Sequence, residues 1–177
     1  MRVAITGTPG TGKTTVGKRL SEKTDLEYVS INDLARKEDC ISGRDRARES
    51  DIIDIDCLQK VLDDYEDCIL DGHVSHNFDV DLVIVLRAKP KVLKRRLEDK
   101  GWSSEKIREN VESELIGLIS YEAHRDNEET FDVDTTDRDE EAVVEAVKNI
   151  IEGEERDKYL EPVDWTEAIE NLEEMDD

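Results

Sequence analysis

One stretch near the start of the chain constrains it more than any other. Gly7-Thr8-Pro9-Gly10-Thr11-Gly12-Lys13-Thr14 fits the pattern Gly-x-x-x-x-Gly-Lys-(Ser/Thr), and it sits between the apolar run Arg2–Thr6 and the helix-like run Lys13–Glu22. A glycine-rich turn from a buried strand into a helix can curl its N–H groups around an anion. Gly10 and Gly12 tolerate left-handed dihedrals there, and the helix start adds its positive end. Lys13 then supplies a mobile charge to the β- and γ-phosphates, Thr14 a hydroxyl to Mg²⁺, and Thr15 a reach to the α-phosphate. The pattern predicts a nucleoside-triphosphate site for ATP or GTP with Mg²⁺. It leaves the fate of the γ-phosphate open.

Strand and helix patterns alternate through most of the chain, which predicts an α/β fold on a parallel sheet. After the first strand and helix come a strand at Glu27–Ser30 and a helix at Asn32–Lys37, capped by Ser30 or Asn32. Residues 38–50 are polar and charged and read as a mobile loop. A helix at Ile55–Tyr65, capped by Asp54, leads to a strand at Cys68–Asp71. Leu82–Leu86 is five consecutive branched aliphatic residues, a strand buried on both faces. A helix opens near Pro90 and runs to Asp99, and Ser103 begins a long one to about Arg125. Phe131–Asp134 and Glu140–Ile151 complete the pattern, with Gly153 as the stop.

Composition narrows the function classes. With 47 Asp+Glu against 25 Lys+Arg, the net charge of −22 argues against a DNA- or RNA-coating surface and against adhesion to anionic membranes. Such a carboxylate surface self-repels in dilute buffer and suits a salt-rich, halophilic cytoplasm. The opening Met1–Thr6 strand lacks the sections of a secretory leader, and no apolar run is long enough to span a bilayer, so a cytoplasmic protein is expected. Cys40, Cys57 and Cys68 form no close pair and are expected as inert thiols rather than a disulfide framework or zinc site. Beyond Gly153 the chain turns acidic, with 11 Asp+Glu in residues 153–177. There Trp165, Ile169, Leu172 and Met175 share one helical stripe, read as a terminal helix packed on the domain or a frayed tail, with a partner-binding segment as the alternative.

A second carboxylate is expected beside the magnesium at the end of another buried strand. Asp71 fits, as an Mg²⁺- or water-ordering group or else a turn cap before Gly72; His73 is either polar to the transferring phosphoryl group or a surface histidine. A guanine-reading Asn-Lys-x-Asp stretch is missing after the late strand, where the chain reads Val133-Asp134-Thr135-Thr136-Asp137-Arg138. A small-molecule kinase instead needs several cations for two phosphate clusters, and Arg87, Lys94, Arg95, Arg96 and Lys100 stand out in so acidic a chain. Arg87 closes a buried strand where ligands of open α/β sheets bind, or else pairs with a carboxylate. Arg36 is a ligand of a phosphate or a solvent-facing charge, while Lys94, Arg95 and Lys106 read as a solvated helix face.

Thr6-Gly7-Thr8-Pro9-Gly10-Thr11-Gly12-Lys13-Thr14-Thr15, Asp33-Leu34-Ala35-Arg36, Asp71-Gly72-His73, Leu86-Arg87 and Arg96-Leu97-Glu98 together resemble the adenylate kinase isoenzyme 6 family, the coilin-interacting nuclear ATPase type, across about residues 1–152. The resemblance implies a nucleoside monophosphate kinase fold: a parallel five-stranded sheet flanked by helices in three layers, a monophosphate-binding segment at about 30–50 and a lid at about 99–109. It implies transfer from ATP to AMP with Mg²⁺, an ATPase side activity and a role in small ribosomal subunit maturation with a small-subunit ribosomal protein as partner.

Carried over by motif, Gly10, Gly12, Lys13, Thr14, Thr15, Lys100 and Arg138 serve ATP, and Asp33, Arg36 and Arg87 the monophosphate. Lys13, Asp71, His73 and Arg96 take the catalytic roles, and Thr14 and Asp71 the metal, partly through water. Residues 153–177 form an acidic extension. The chain departs from the family's usual Arg-Gly-aromatic at Lys100-Gly101-Trp102, which keeps the charge without the planar fork, and from an expected glycine in Val74-Ser75-His76-Asn77. The rival reading is an ATP-hydrolysing assembly factor that binds a ribosomal protein, its kinase activity incidental. A kinase of another small metabolite is a weaker third.

Overall fold

The computed structural model describes residues 1–45 and 50–169. The chain begins with β1 (Arg2–Thr6), α1 (Lys13–Lys23), β2 (Glu27–Ser30) and α2 (Ile31–Lys37). A hairpin of β3 (Ile41–Asp45) and β4 (Ser50–Ile53) precedes α3 (Ile55–Leu62) and β5 (Cys68–Asp71). Then come β6 (Leu82–Arg87), α4 (Pro90–Asp99), α5 (Ser104–Leu115), α6 (Leu118–Asp126), β7 (Thr130–Asp134), α7 (Glu140–Ile151) and a last helical turn, α8 (Thr166–Ile169).

Five strands form one parallel sheet in the order β2-β5-β1-β6-β7. β1 is central, with Val3 beside Ile69 on one side and Leu82 on the other. Successive β1 residues face opposite layers, as a strand's period of two requires. Val3 and Ile5 pack with Leu20 of α1 and Val144, Val147 and Ile150 of α7, while Ala4 faces Ala123 of α6. Helices therefore cover both faces in three layers, as the resemblance implied. Each large apolar side chain buried here contributes about 1.5–3 kcal/mol, which makes the sheet a stiff platform for the loops at its edge.

Four expectations are corrected. Part of the polar segment 38–50 is not a loop: β3 and β4 pair antiparallel, Ile41 opposite Ile53, with residues 46–49 outside the described residues. Both isoleucines pack on the cluster under α2 and α3. A lone Ile41 in β3 and the adjacent Ile52 and Ile53 in β4 give no period-two alternation to read from sequence. The long helix expected from Ser103 is two, broken at Gly117 (φ 65°), where a Cβ would come within 3.4 Å of the Arg87 guanidinium. Finally, Cys40 and Cys57 are joined in a disulfide, while Cys68 is a free, buried thiol. The 17-residue separation hid the pairing, because the hairpin between them folds back and brings its two ends together. The expected helix from Ile55 also stops at Leu62, short of Tyr65.

Past Gly153 the chain stays on the domain. Tyr159 enters the core beside α7, its carbonyl accepts from Asp132 N, and Trp165 is buried. Leu172 and Met175 of the expected stripe lie outside the described residues. Among the described residues no helix is long and apolar enough to cross a membrane.

Candidate active site

A cleft of about 1220 Å³ opens above the C-terminal ends of β1 and β5, where the chain leaves the two strands toward opposite sides of the sheet. Its floor is the loop from β1 to α1. Gly7, Gly10 and Gly12 all have positive φ (130°, 95° and 104°). At Gly7 a Cβ would lie 2.3 Å from the Leu86 carbonyl oxygen, and at Gly10 one would meet Leu93 and Leu97 of α4 at 2.9 Å. The loop is thus pressed against β6 and α4, and glycine is what fits. Gly12 caps α1 without a side-chain hydrogen bond, so the helix start faces the cleft with no cap side chain across it.

Lys13 donates from Nζ to the carbonyls of Gly7 (2.7 Å) and Thr8 (3.1 Å). Burial pushes its ammonium down to about 8; nearby Asp71 opposes that shift and Lys100 adds to it. Asp71, buried at the end of β5, accepts at Oδ2 from Thr14 Oγ1 (2.7 Å) and from the Tyr28 hydroxyl (2.6 Å). Burial, then the hydrogen bond to Asp71, pushes the Tyr28 phenol well up, so it stays a donor. The hydroxyl of Thr14 and the carboxylate of Asp71 form a hard-oxygen pair at the loop, which fits Mg²⁺ in its usual mode of few protein ligands with phosphate and water oxygens completing the shell.

The opposite wall comes from α2 and the hairpin. Asp33, Arg36, Arg44, Ser50 and Asp51 line it, and Arg36 Nε donates to Asp51 Oδ2 at 2.8 Å with Asp33 Oδ1 3.4 Å from Nη1. Lys100, Trp102 and Lys106 line the third side, from the α4–α5 turn, with Lys106 Nζ 4.2 Å above the Trp102 ring. His73 also lines the cleft, and its carbonyl accepts from Thr6 Oγ1 at 3.2 Å. In a chain of net charge −22, Lys13, Lys18, Arg36, Arg44, Lys100 and Lys106 converge on one space.

The structure brings Gly10, Gly12, Lys13, Thr14, Thr15, Asp33, Arg36, Asp71, His73 and Lys100 together around this cleft. It does not bring Arg87 there. Arg87 is buried below the loop, with Nε on Glu114 Oε1 (2.9 Å) and Nη1 on Asp132 Oδ2 (2.9 Å) and the Val163 carbonyl. The pairing alternative, not the monophosphate role, describes it. Arg96 holds the loop from behind, donating to Thr135 Oγ1 (3.1 Å) and O (2.9 Å), with Gly10 O at 3.5 Å. Arg138 lies against Tyr159, 3.3 Å from its hydroxyl, and does not line the cleft.

Four residues escaped the sequence reading. Tyr28 carries no motif, and Arg44 was one charge among many in a presumed loop. Lys106, read as a solvated helix face, lines the cleft. Glu114 left a signal: it sits three residues beyond Val111 on the buried stripe of α5, an acid where an apolar residue belongs.

The loop, the strand-end carboxylate and the cation-lined cleft define a P-loop nucleotide-binding domain. Residues 3–117 match the family model described as an AAA domain. The chain is 43% identical to a protein of Pyrococcus abyssi and 42% identical to one of Thermococcus kodakarensis, both carrying the name "Putative adenylate kinase". The matches cover 97% of this chain in each case, and 95% and 97% of those relatives. The chain belongs to this archaeal family. Its fold is also similar to the crystal structure of the YorR protein from Bacillus subtilis in complex with phosphorylated GDP. That likeness has a TM-score of 0.61 at 17% identity and covers 86% of this chain and 96% of that one.

Proposed function

We propose that the protein is a nucleoside monophosphate kinase of adenylate kinase type, transferring the γ-phosphoryl group of ATP to AMP. The observation that carries the proposal is the shared cleft: the phosphate loop on one wall faces Asp33, Arg36 and Arg44 on the other. The name of its relatives supports the same reading. Two phosphate groups seated on opposite walls can meet over Lys13.

Gly10, Gly12, Lys13, Thr14 and Thr15 hold the ATP phosphates, Lys13 exchanging its carbonyl partners for phosphate oxygens. Arg36 and Arg44 hold the monophosphate, and Lys100 and Lys106 neutralise charge from the lid. Thr14 and Asp71 would hold Mg²⁺, which would supply charge neutralisation for the phosphates. Asp71 is oriented by Tyr28 and Thr14, and His73 lies beside the transfer path. Catalysis is positioning and charge neutralisation, without a covalent enzyme intermediate.

Hydrolysis of ATP follows as a side activity when water takes the place of the monophosphate. Two further proposals rest on the family resemblance and the charge of −22: a role in small-subunit ribosome maturation with a basic ribosomal protein as partner, and a salt-rich cytoplasmic setting.

The test is a coupled assay in molar KCl with Mg-ATP alone and with AMP, CMP, UMP or GMP. A many-fold rise in ADP formation with AMP, with two ADP made per AMP consumed, is expected. Slow hydrolysis indifferent to every monophosphate overturns the kinase reading in favour of the ATP-driven assembly factor. Activity indifferent to KCl overturns the salt-rich setting.

A further inference from the structure

The phosphate loop is gripped from below by a buried carboxylate on another element. Glu114, 2% exposed on α5, accepts at Oε2 from the Thr8 hydroxyl at 2.6 Å. Its Oε1 accepts from Arg87 Nε (2.9 Å), Ala88 N (3.0 Å) and Trp165 Nε1 (3.1 Å). Arg87 closes the arrangement: Nη2 donates to the Glu114 carbonyl, and Nη1 reaches Asp132 and the Val163 carbonyl. Val163 N in turn donates to Asp132 Oδ2 (2.9 Å), and the Arg87 guanidinium lies 5.9 Å from the centre of the Trp165 ring.

These bonds join three parts that the sequence separates widely. Thr8 belongs to the phosphate loop, and its carbonyl is one of the two that hold Lys13. Glu114 belongs to α5, whose Lys106, Glu109, Asn110 and Ser113 line the cleft. Val163 and Trp165 belong to the segment beyond Gly153. A buried carboxylate is costly unless its oxygens are satisfied, and here they accept from four donors, a hydroxyl, a guanidinium, a backbone amide and an indole. Were its purpose packing alone, an apolar residue on this stripe of α5 would serve at lower cost. What the carboxylate adds is direction: it fixes the Thr8 side chain, and so the first turn of the loop.

We propose that Glu114 is a positioning residue for the phosphate loop, and that Trp165 completes its setting, so that ATP engagement is coupled to α5 and to the C-terminal segment. The inference rests on the loop being the ATP site, as in the reading above, but not on transfer to AMP.

The experiment compares Thr8→Val, Thr8→Ser, Glu114→Gln and Trp165→Phe with the parent protein in molar KCl. Affinity for a non-hydrolysable ATP analogue, KM for ATP, KM for AMP and the melting temperature are measured for each. Thr8→Val is expected to weaken the analogue and raise the KM for ATP roughly tenfold, as the loss of a hydrogen bond to a buried charge does, with the KM for AMP held within about twofold. Thr8→Ser should restore the parent values. Trp165→Phe should shift ATP in the same direction by less, and its effect should shrink in the Thr8→Val background.

A fall in melting temperature with unchanged analogue affinity overturns the proposal and leaves Glu114 a purely structural group. Equal rises in both KM values overturn it as well. If Glu114→Gln or Trp165→Phe does not fold, Trp165 itself reports. In Trp102→Phe it is the remaining tryptophan of the chain's two, and its emission should shift as the analogue saturates the loop. Constant emission at saturation overturns the coupling. Analogue binding without transfer to AMP refutes the kinase reading and leaves this inference standing.

Discussion

Tyr28 on β2 and Thr14 on α1 donate to the same oxygen of Asp71, at 2.6 and 2.7 Å. Two hydroxyl donors on one carboxylate oxygen fix its rotation, which a group that orders a metal or its waters requires. Asp71→Asn should therefore lower kcat by roughly a hundredfold or more, since a preorganised charge is lost. Tyr28→Phe should cost only about tenfold, because Thr14 still orients the carboxylate. Steady-state kinetics over a range of Mg²⁺ concentrations separate the two. Equal losses in both variants would mean that Tyr28 touches the nucleotides itself.

Lys13 gives a pH prediction with a definite sign. Burial holds its free-state ammonium down to about 8. The charged form is the one that attracts phosphate, so kcat/KM for ATP should decline as pH rises through about 8. Bound phosphates stabilise the ammonium, so kcat should stay level to higher pH, and binding above pH 8 should take up a proton. Calorimetry in buffers of different ionisation enthalpy measures that uptake. A kcat/KM flat to about pH 9.5 contradicts it.

Much of this was legible from residue pattern. The phosphate loop, the five sheet strands and Asp71 each announce themselves through local rules: glycine spacing, runs of branched aliphatics, and a carboxylate at a strand end. What stayed hidden is what non-local contacts decide. Arg87 at the end of a buried strand reads equally as a ligand or as half of an ion pair, and the choice depends on Glu114 and Asp132, 27 and 45 residues away. The hairpin escaped because its two strands carry almost no apolar alternation and find their pairing through Ile41, Ile53 and the cysteines. Gly117 was available as a helix break. Its role shows once Arg87 is seen to need the space.

The loop glycines should differ in what an added methyl costs. Gly12 has φ 104° but nothing within 4 Å of a Cβ, so Gly12→Ala meets backbone strain alone, about 1–2 kcal/mol. At Gly7 the same strain is joined by a 2.3 Å collision with a main-chain oxygen, which no rotamer change relieves. Gly7→Ala should therefore lower the melting temperature well beyond Gly12→Ala, whose shift is expected at several degrees. Thermal melts in molar KCl rank them, and the reverse order contradicts the loop's seating against β6.

Arg36 and Arg87 should fail in opposite ways. Arg36 is more than half exposed and lines the cleft, so Arg36→Ala should raise the KM for AMP roughly tenfold or more with little change in stability. Arg87 is 2% exposed between two buried carboxylates, and Arg87→Met strands both. Loss of one partner from such a pair costs about 3–5 kcal/mol. Arg87→Met should accordingly melt far below the parent, and whatever remains folded should keep a near-normal KM for AMP. A large KM change for AMP in a stable Arg87 variant would restore that residue to the monophosphate site.

The disulfide makes the hairpin a test of its own. Cys40 and Cys57 bracket β3 and β4, which carry Arg44 and Asp51 into the cleft. Closing a loop of this length stabilises by about 3 kcal/mol, mainly by restricting the unfolded chain. Protein denatured without reductant should show one reactive thiol, from Cys68, and three after reduction. Reduction, or Cys40→Ser with Cys57→Ser, should lower the melting temperature. It should also raise the KM for AMP more than that for ATP, because the hairpin serves one wall of the cleft and the phosphate loop the other. Three thiols before reduction would remove the crosslink. Equal effects on the two nucleotides would show that the hairpin is not the monophosphate wall.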